Sequence, residues 1–210
     1  MERAPTKQKI LQEALSLFSE QGYDAVSVAQ IAEAVGIKAP SLYKHYKSKQ
    51  AIFQAILDEM QKRYTQQAVS MQMNGSDAHA DAGLFADLSE EALIQMGTNL
   101  FLYFLHDEYV SKFRKMLTIE QYHSQELAML YTKQYADDPL SYQGAMFHLL
   151  AQSGALKPEN PQIMALHFYA PLYLLLTLCD RQPEREPEAL EVLEQHIRQF
   201  NRLYKGEGIQ

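Results

Sequence analysis

Among its 210 residues the chain has one cysteine, Cys179. A single thiol excludes an internal disulfide, and without a C-x-x-C pair there is no cysteine-based metal pattern. A reducing, cytoplasmic setting fits, with Cys179 read as a small buried apolar side chain rather than a redox sensor. The sequence also lacks a G-x-S-x-G elbow, a phosphate-cradling glycine loop and an H-E-x-x-H helix, so nothing supports an enzyme and no catalytic residue is assigned. His106, His123, His148, His167 and His196 contain no i, i+4 pair. His79 and Asp81, in a polar stretch, fall short of a tetrahedral ligand set. No metal or cofactor is expected.

A membrane address is missing as well. Met1 to Lys9 is polar, with no apolar run ahead of a small-residue cleavage site, so it is not read as a secretory signal. Asn160 to Cys179 contains no Asp, Glu, Lys or Arg and approaches a membrane span in length. However, Pro161, Gln162, His167 and Pro171 interrupt it, and no basic cluster flanks it. The segment reads as a buried helix, and no membrane partner is expected.

Negative charge is missing from one stretch in particular. The chain carries a formal net charge of −7 and 47% hydrophobic residues, enough for a sizeable core in one domain or two small ones. Yet no acid occurs between Glu33 and Asp58, where Lys38, Lys44, Lys47 and Lys49 cluster. Residues 1–64 hold nine lysines and arginines against seven acids, so the excess acidity lies wholly in the remainder. That asymmetry suits a nucleic-acid-binding head on an acidic body.

What occupies the acid-free stretch is a helix pair. Val28, Ile31, Ala32 and Val35 recur at helical spacing, with Ser27 before them as an N-cap. Gly36 follows, where glycine can take the left-handed conformation that ends a helix. A second short helix starts near Pro40, turning Leu42 inward and leaving Ser41, Tyr43, Lys44 and His45 outside. Two short helices joined by a tight turn make a helix-turn-helix, whose second helix can enter a DNA major groove. Ser48 can cap a further helix, whose N-terminus would favour a phosphate.

These features come in a specific order. A first helix carries Leu17 and Phe18; G-Y-D-A-V-S follows at Gly22 to Ser27, I-A-E-A-V-G at Ile31 to Gly36, and S-L-Y-K-H-Y-K-S-K at Ser41 to Lys49, then Ile52 and Phe53. In this the first ~60 residues resemble the N-terminal domain of the TetR family of bacterial transcriptional regulators. The resemblance implies that Tyr43 and Lys49 hold phosphates and that the helix at about Pro40 to Tyr46 touches base edges. Lys38, Ala39, Pro40, Ser41, Lys44 and His45 are then the candidates for reading sequence, with Lys7 near the backbone. Many members have an arginine early in the second helix. Here Ala29 and Gln30 stand in that region, so a contact there is either missing or moved to Gln30; Ser27 and Gln30 are both DNA-binding candidates.

The rest is expected to be helical. The first helix should cover about Thr6 to Gln21, with Ile10, Ala14, Leu17 and Phe18 inward, and a linker helix about residues 48–70. A loop is expected at Met71 to Asp87. Body helices are expected at Ser89 to Leu105, Asp107 to Tyr122, Gln125 to Tyr135, Pro139 to Gln152, Pro161 to Cys179 and Pro187 to Lys205, with D-D-P at Asp137 to Pro139 as a break. The fold class is therefore all-α: an N-terminal three-helix helix-turn-helix domain at residues 1–50, and a C-terminal helical ligand-binding and dimerisation domain at 51–210.

Within that body, Tyr64, Phe101, Phe104, Met116, Tyr122, Phe147 and Tyr173 are candidates for lining an apolar effector cavity, though each also suits a packed core. By resemblance, the last two helices pair with their symmetry mates. Leu166, Tyr169, Tyr173, Leu193, Ile197 and Phe200 are the interface candidates, and a homodimer would meet a roughly palindromic operator in double-stranded DNA. The reading is a repressor released from its operator by a small, largely apolar effector. The alternative is a DNA-bound adaptor whose C-terminal domain binds a protein partner and senses no ligand.

Overall fold

The computed structural model describes residues 5–206. Its order is α1 (Thr6–Gln21), α2 (Val28–Val35), α3 (Ala39–His45), α4 (Lys49–Ser70), α5 (Ala78–Ala86), α6 (Glu90–His106), α7 (Glu108–Glu120), α8 (Gln125–Thr132), α9 (Asp138–Gln152), α10 (Pro161–Arg181) and α11 (Glu186–Tyr204). Among the described residues the only extended pairing is a single bridge, Leu156 to Lys205.

The chain forms two compact units. One, the head, contains the residues up to Tyr64 together with Glu108–Tyr131; the other, the body, contains Thr65–Asp107 and the chain from Thr132 onward. The head unit is discontinuous in sequence: α7 and most of α8 fold with α1–α3 and the greater part of α4.

In the head, α1 packs against both α2 and α7. That double cover widens its apolar stripe: Ile10, Ala14 and Phe18 are buried as expected, but Leu15 joins them while Leu17 is only half-buried. Ile31, Ala32 and Val35 of α2, Leu42 of α3, Ile52, Phe53 and Ile56 of α4, and Val110, Phe113, Met116 and Leu117 of α7 are also buried. Burying each large aliphatic or aromatic side chain contributes about 1.5–3 kcal/mol against leaving it exposed.

The body has two apolar clusters. Met146, Phe147 and Leu150 of α9 meet Met164 and Ala165 of α10 and Phe200 of α11. Phe101 of α6 meets Leu175, Leu176 and Cys179 of α10 and Ala189, Leu193 and Ile197 of α11.

Two expectations about local structure are corrected. The stretch expected as a loop contains α5, whose N-cap Asp77 accepts hydrogen bonds from the amides of His79 and Ala80. Asp81 within it is buried, accepting from the amides of Asn74 (2.7 Å) and Gly75 (2.8 Å) and from the Tyr142 hydroxyl (2.7 Å). A nine-residue helix this rich in alanine shows little apolar periodicity, so capping rather than pattern marks it. Nor does D-D-P break the chain. α8 passes through a π-helical turn, Lys133–Asp137, directly into α9. Pro139 sits in the first turn of α9, where proline's missing N–H is best tolerated.

Candidate nucleic-acid interface

The helix pair is held by complementary local bonds at each joint. At the start of α2, Ser27 and Gln30 form a capping box: Ser27 Oγ accepts from the Gln30 amide (3.3 Å), and Gln30 Oε1 accepts from the Ser27 amide (2.8 Å) and hydroxyl (2.8 Å). Both residues lie on the surface, but their side chains are engaged with each other. At the end of α2, Gly36 is left-handed at φ +80°. Lys9 Nζ donates to the Val35 carbonyl at 2.9 Å, a cation on a helix C-terminus.

Helix α3 buries only Leu42. Lys38 is its N-cap and Pro40 lies in its first turn, so no amide hydrogen bond is lost there. Lys38, Pro40, Tyr43, Lys44 and His45 are exposed, Ala39 and Ser41 half-buried; Tyr43 leaves 44% of its surface in solvent. At the end of α3 the buried Tyr46 ring packs near the exposed Lys7, whose Nζ is 5.3 Å from its centroid. Burial, with Glu59 adding to it, pushes the Tyr46 phenol above its ordinary range, so the ring stays neutral beside that cation. Ser48 Oγ accepts from the Ala51 amide at 3.0 Å in the first turn of α4.

Lys49 is turned inward. Its Nζ donates to the Tyr23 carbonyl at 2.8 Å and the Asp24 carbonyl at 3.3 Å, and sits 4.3 Å from the centroid of the Tyr23 ring. It fastens α4 to the connection between α1 and α2. Sequence reasoning missed Tyr23. Its hydroxyl donates to Gln50 Oε1 (2.9 Å), its ring meets Phe18 and Phe53 edge-on at 5.1 Å each, and its amide donates to Glu120 Oε1 at 2.7 Å. Gly22 was the available signal, since its φ of +86° marks the bend there. Nothing in the sequence pointed across to Glu120.

Residues 10–56 match the model for bacterial regulatory proteins of the tetR family. The head is thus a regulatory domain of the tetR type. It is 43% identical over 54 residues to the transcriptional repressor ComR of Escherichia coli K12, 26% of each chain. It is 38% identical over 76 residues to IcaR of Staphylococcus aureus Newman, a negative transcriptional regulator of the biofilm operon icaADBC, covering 36% of this chain and 40% of that one. The match thus takes in well under half the length of either relative.

The TetR-type fold extends through the body. SmeT, the repressor of the Stenotrophomonas maltophilia multidrug efflux pump SmeDEF, superposes with a TM-score of 0.65 over 98% of this chain and 93% of its own, at 19% identity. SmeT has also been solved as a triclosan complex.

The residues expected to line an effector cavity fall in both units. Tyr64 and Met116 belong to the head, while Phe101, Phe104, Phe147 and Tyr173 belong to the body. Phe101 and Phe104 pack in one body cluster and Phe147 in the other. Tyr122, past the end of α7, is 84% exposed. A cleft of about 370 Å³ does lie in the head, but charges of both signs line it, among them Lys7, Asp58, Glu59 and Lys62.

The expected interface set needs correction at three positions. Leu193, Ile197 and Phe200 are buried within the chain itself, because α11 spends its apolar stripe on α6 and α10. Gly97 of α6 admits Ile197 so closely that an added Cβ would lie 2.7 Å from Ile197 Cδ1. Helix α10, expected to be buried, is covered by α6, α9 and α11 yet keeps Ile163, Leu166 and Leu174 exposed, and Val192 and Leu203 are exposed on α11. Of the expected set, Leu166 is thus outside, and Tyr169 and Tyr173 are half-buried and stacked with centroids 6.0 Å apart.

Proposed function

We propose that this protein is a homodimeric transcriptional repressor that holds a roughly palindromic operator and is released when a small, largely apolar molecule binds its body. The observation that carries the DNA-binding part is α3. This helix buries one side chain and exposes Pro40, Tyr43, Lys44 and His45, with no acid from Lys38 through Lys49, an arrangement suited to a polyanion. Lys7 and Tyr43 then contact the backbone, while Lys38, Ala39, Pro40, Ser41, Lys44 and His45 reach base edges. Repression is supported by ComR and IcaR, which are themselves negative regulators.

The dimer reading rests on the outward stripe of α10. Ile163, Leu166 and Leu174 share one face of that helix, Val192 and Leu203 are exposed on α11, and Leu174 is 62% exposed. For the effector, the stack of Tyr169, Tyr173 and Tyr135 is the best-suited feature of the body. Tyr135 sits in the π-helical turn, its ring centroid 6.3 Å from that of Tyr173. Aromatic walls and π turns recur at ligand sites, and SmeT has been solved with triclosan. A repressor of this kind works on cytoplasmic DNA.

The test is selection from a random-sequence duplex pool followed by anisotropy titration at fixed salt, with native mass spectrometry of the purified protein before and after denaturation. A duplex enriched as an inverted repeat, and bound less tightly by Lys44→Ala, is the expected result. Failure to enrich any duplex would sink the reading. An apolar compound released on denaturation supports the sensor; a bound protein in its place supports the adaptor.

A further inference from the structure

We propose that Glu120 is a positioning residue for DNA recognition: from the end of α7, it sets the point at which the helix-turn-helix begins. This rests on the DNA-binding reading above and deepens it, since Glu120 belongs to neither α2 nor α3 and is buried.

Glu120 is 2% exposed, an unfavourable place for a carboxylate unless its oxygens are used. Oε1 accepts the Tyr23 amide at 2.7 Å. Gly22 makes that approach possible: at its φ of +86°, an added Cβ would lie 2.5 Å from Oε1. Oε2 is buried with no hydrogen-bond partner among the described residues. One oxygen therefore does the holding, and it holds backbone.

The backbone it holds is the entry to α2. Tyr23 is pinned on its other side by Lys49, which takes the Tyr23 and Asp24 carbonyls, and its ring lies between Phe18 and Phe53. Further along, Val26 is buried at 1% exposure, and Ser27 opens α2 with its capping box. α2 passes through Gly36 to Lys38, the N-cap of α3. The chain from the Glu120 contact to the recognition helix is thus capped, packed or bonded at each joint, so a shift at Tyr23 is carried to α3.

The test uses the full-length protein and two duplexes: the one enriched by the wild type from a random pool, and a scrambled duplex of equal length. Glu120→Ala removes the acceptor. Glu120→Gln keeps an oxygen that can accept the Tyr23 amide, and Glu120→Asp retracts it by one methylene. The expected result for Glu120→Ala is a loss of about tenfold or more on the selected duplex with less than about twofold change on the scrambled one, since phosphate contacts carry non-specific binding. Glu120→Gln should restore most of the ratio. Glu120→Asp should fall between them, and it keeps the test available if the alanine variant does not fold. Amide exchange from Tyr23 to His45 should quicken in Glu120→Ala relative to the body.

Equal losses on both duplexes, or a glutamine variant no better than alanine, would overturn the positioning role and leave the DNA-binding reading standing. A wild type that enriches no duplex would overturn that reading, and this inference with it.

Discussion

Lys49→Met separates two roles for a lysine that lies where a phosphate contact is expected. Methionine keeps most of the aliphatic stem and removes the ammonium that donates to the Tyr23 and Asp24 carbonyls. A hydrogen bond from a charged donor contributes about 1.5–3 kcal/mol, with the lower figure apt for a half-exposed side chain. The second bond is longer, and the stacking over Tyr23 adds about 0.5–1 kcal/mol at such a site. The expected loss is therefore about 2 kcal/mol, or roughly 4–8 °C in the melting temperature of a chain this size. A phosphate contact would show itself differently. Removing one per protomer from a dimer would make the slope of log affinity against log salt shallower by about 1.8. Calorimetric melts and anisotropy titrations between about 50 and 200 mM salt read both quantities. A lowered melting temperature with an unchanged slope is expected. A shallower slope with an unchanged melting temperature would refute the inward assignment of Lys49.

Other outcomes follow from the body and the turns. Burial raises the Asp81 pKa, but the Tyr142 hydroxyl and the Asn74 and Gly75 amides together outweigh it, leaving the carboxyl below its ordinary value. Its contribution is then present above about pH 4 and lost as pH falls through the depressed pKa; Asp81→Asn should flatten that acid limb in urea melts and cost about 2 kcal/mol at neutral pH. In the same melts Leu193→Ala should cost about 2.7–5 kcal/mol of stability, whereas Leu174→Asp should dissociate the proposed dimer in sedimentation velocity with little loss of stability in the single chain. Gly36→Ala meets no atom within 4 Å, so only the left-handed backbone opposes it, at about 1–2 kcal/mol. Gly22→Ala adds the collision with Glu120 and should cost more by chemical denaturation.

The head was legible because its signals are local. Ser27, Gly36, Pro40 and Ser48 each act on backbone within a turn of themselves, so their identities alone mark the joints. Leu42 showed its direction by being the one large aliphatic side chain in α3. The bonds of Lys49 were hidden because its partners, the carbonyls of Tyr23 and Asp24, lie 26 and 25 positions back and any residue type supplies a carbonyl. Glu120 is the same case at longer range, 97 positions from Tyr23. In the body, amphipathicity showed that α11 has an apolar face but not what covers it. Leu193 and Ile197 turn to α6 and α10, and the exposed Leu174 carries no mark that sets it apart from its buried neighbours Leu175 and Leu176.

The split composition of the head bears on how such proteins can be recombined. Similarity to ComR and IcaR spans 54 and 76 residues, so a designer joining one protein's residues up to Tyr64 to another's remainder would expect to move a whole module. In this chain that graft would leave behind Phe113, Met116, Leu117 and Glu120, the α7 side of what α1 packs against. A working hybrid must carry Glu108–Tyr131 along with the residues up to Tyr64, or find in its new host a helix with a carboxylate at the same height.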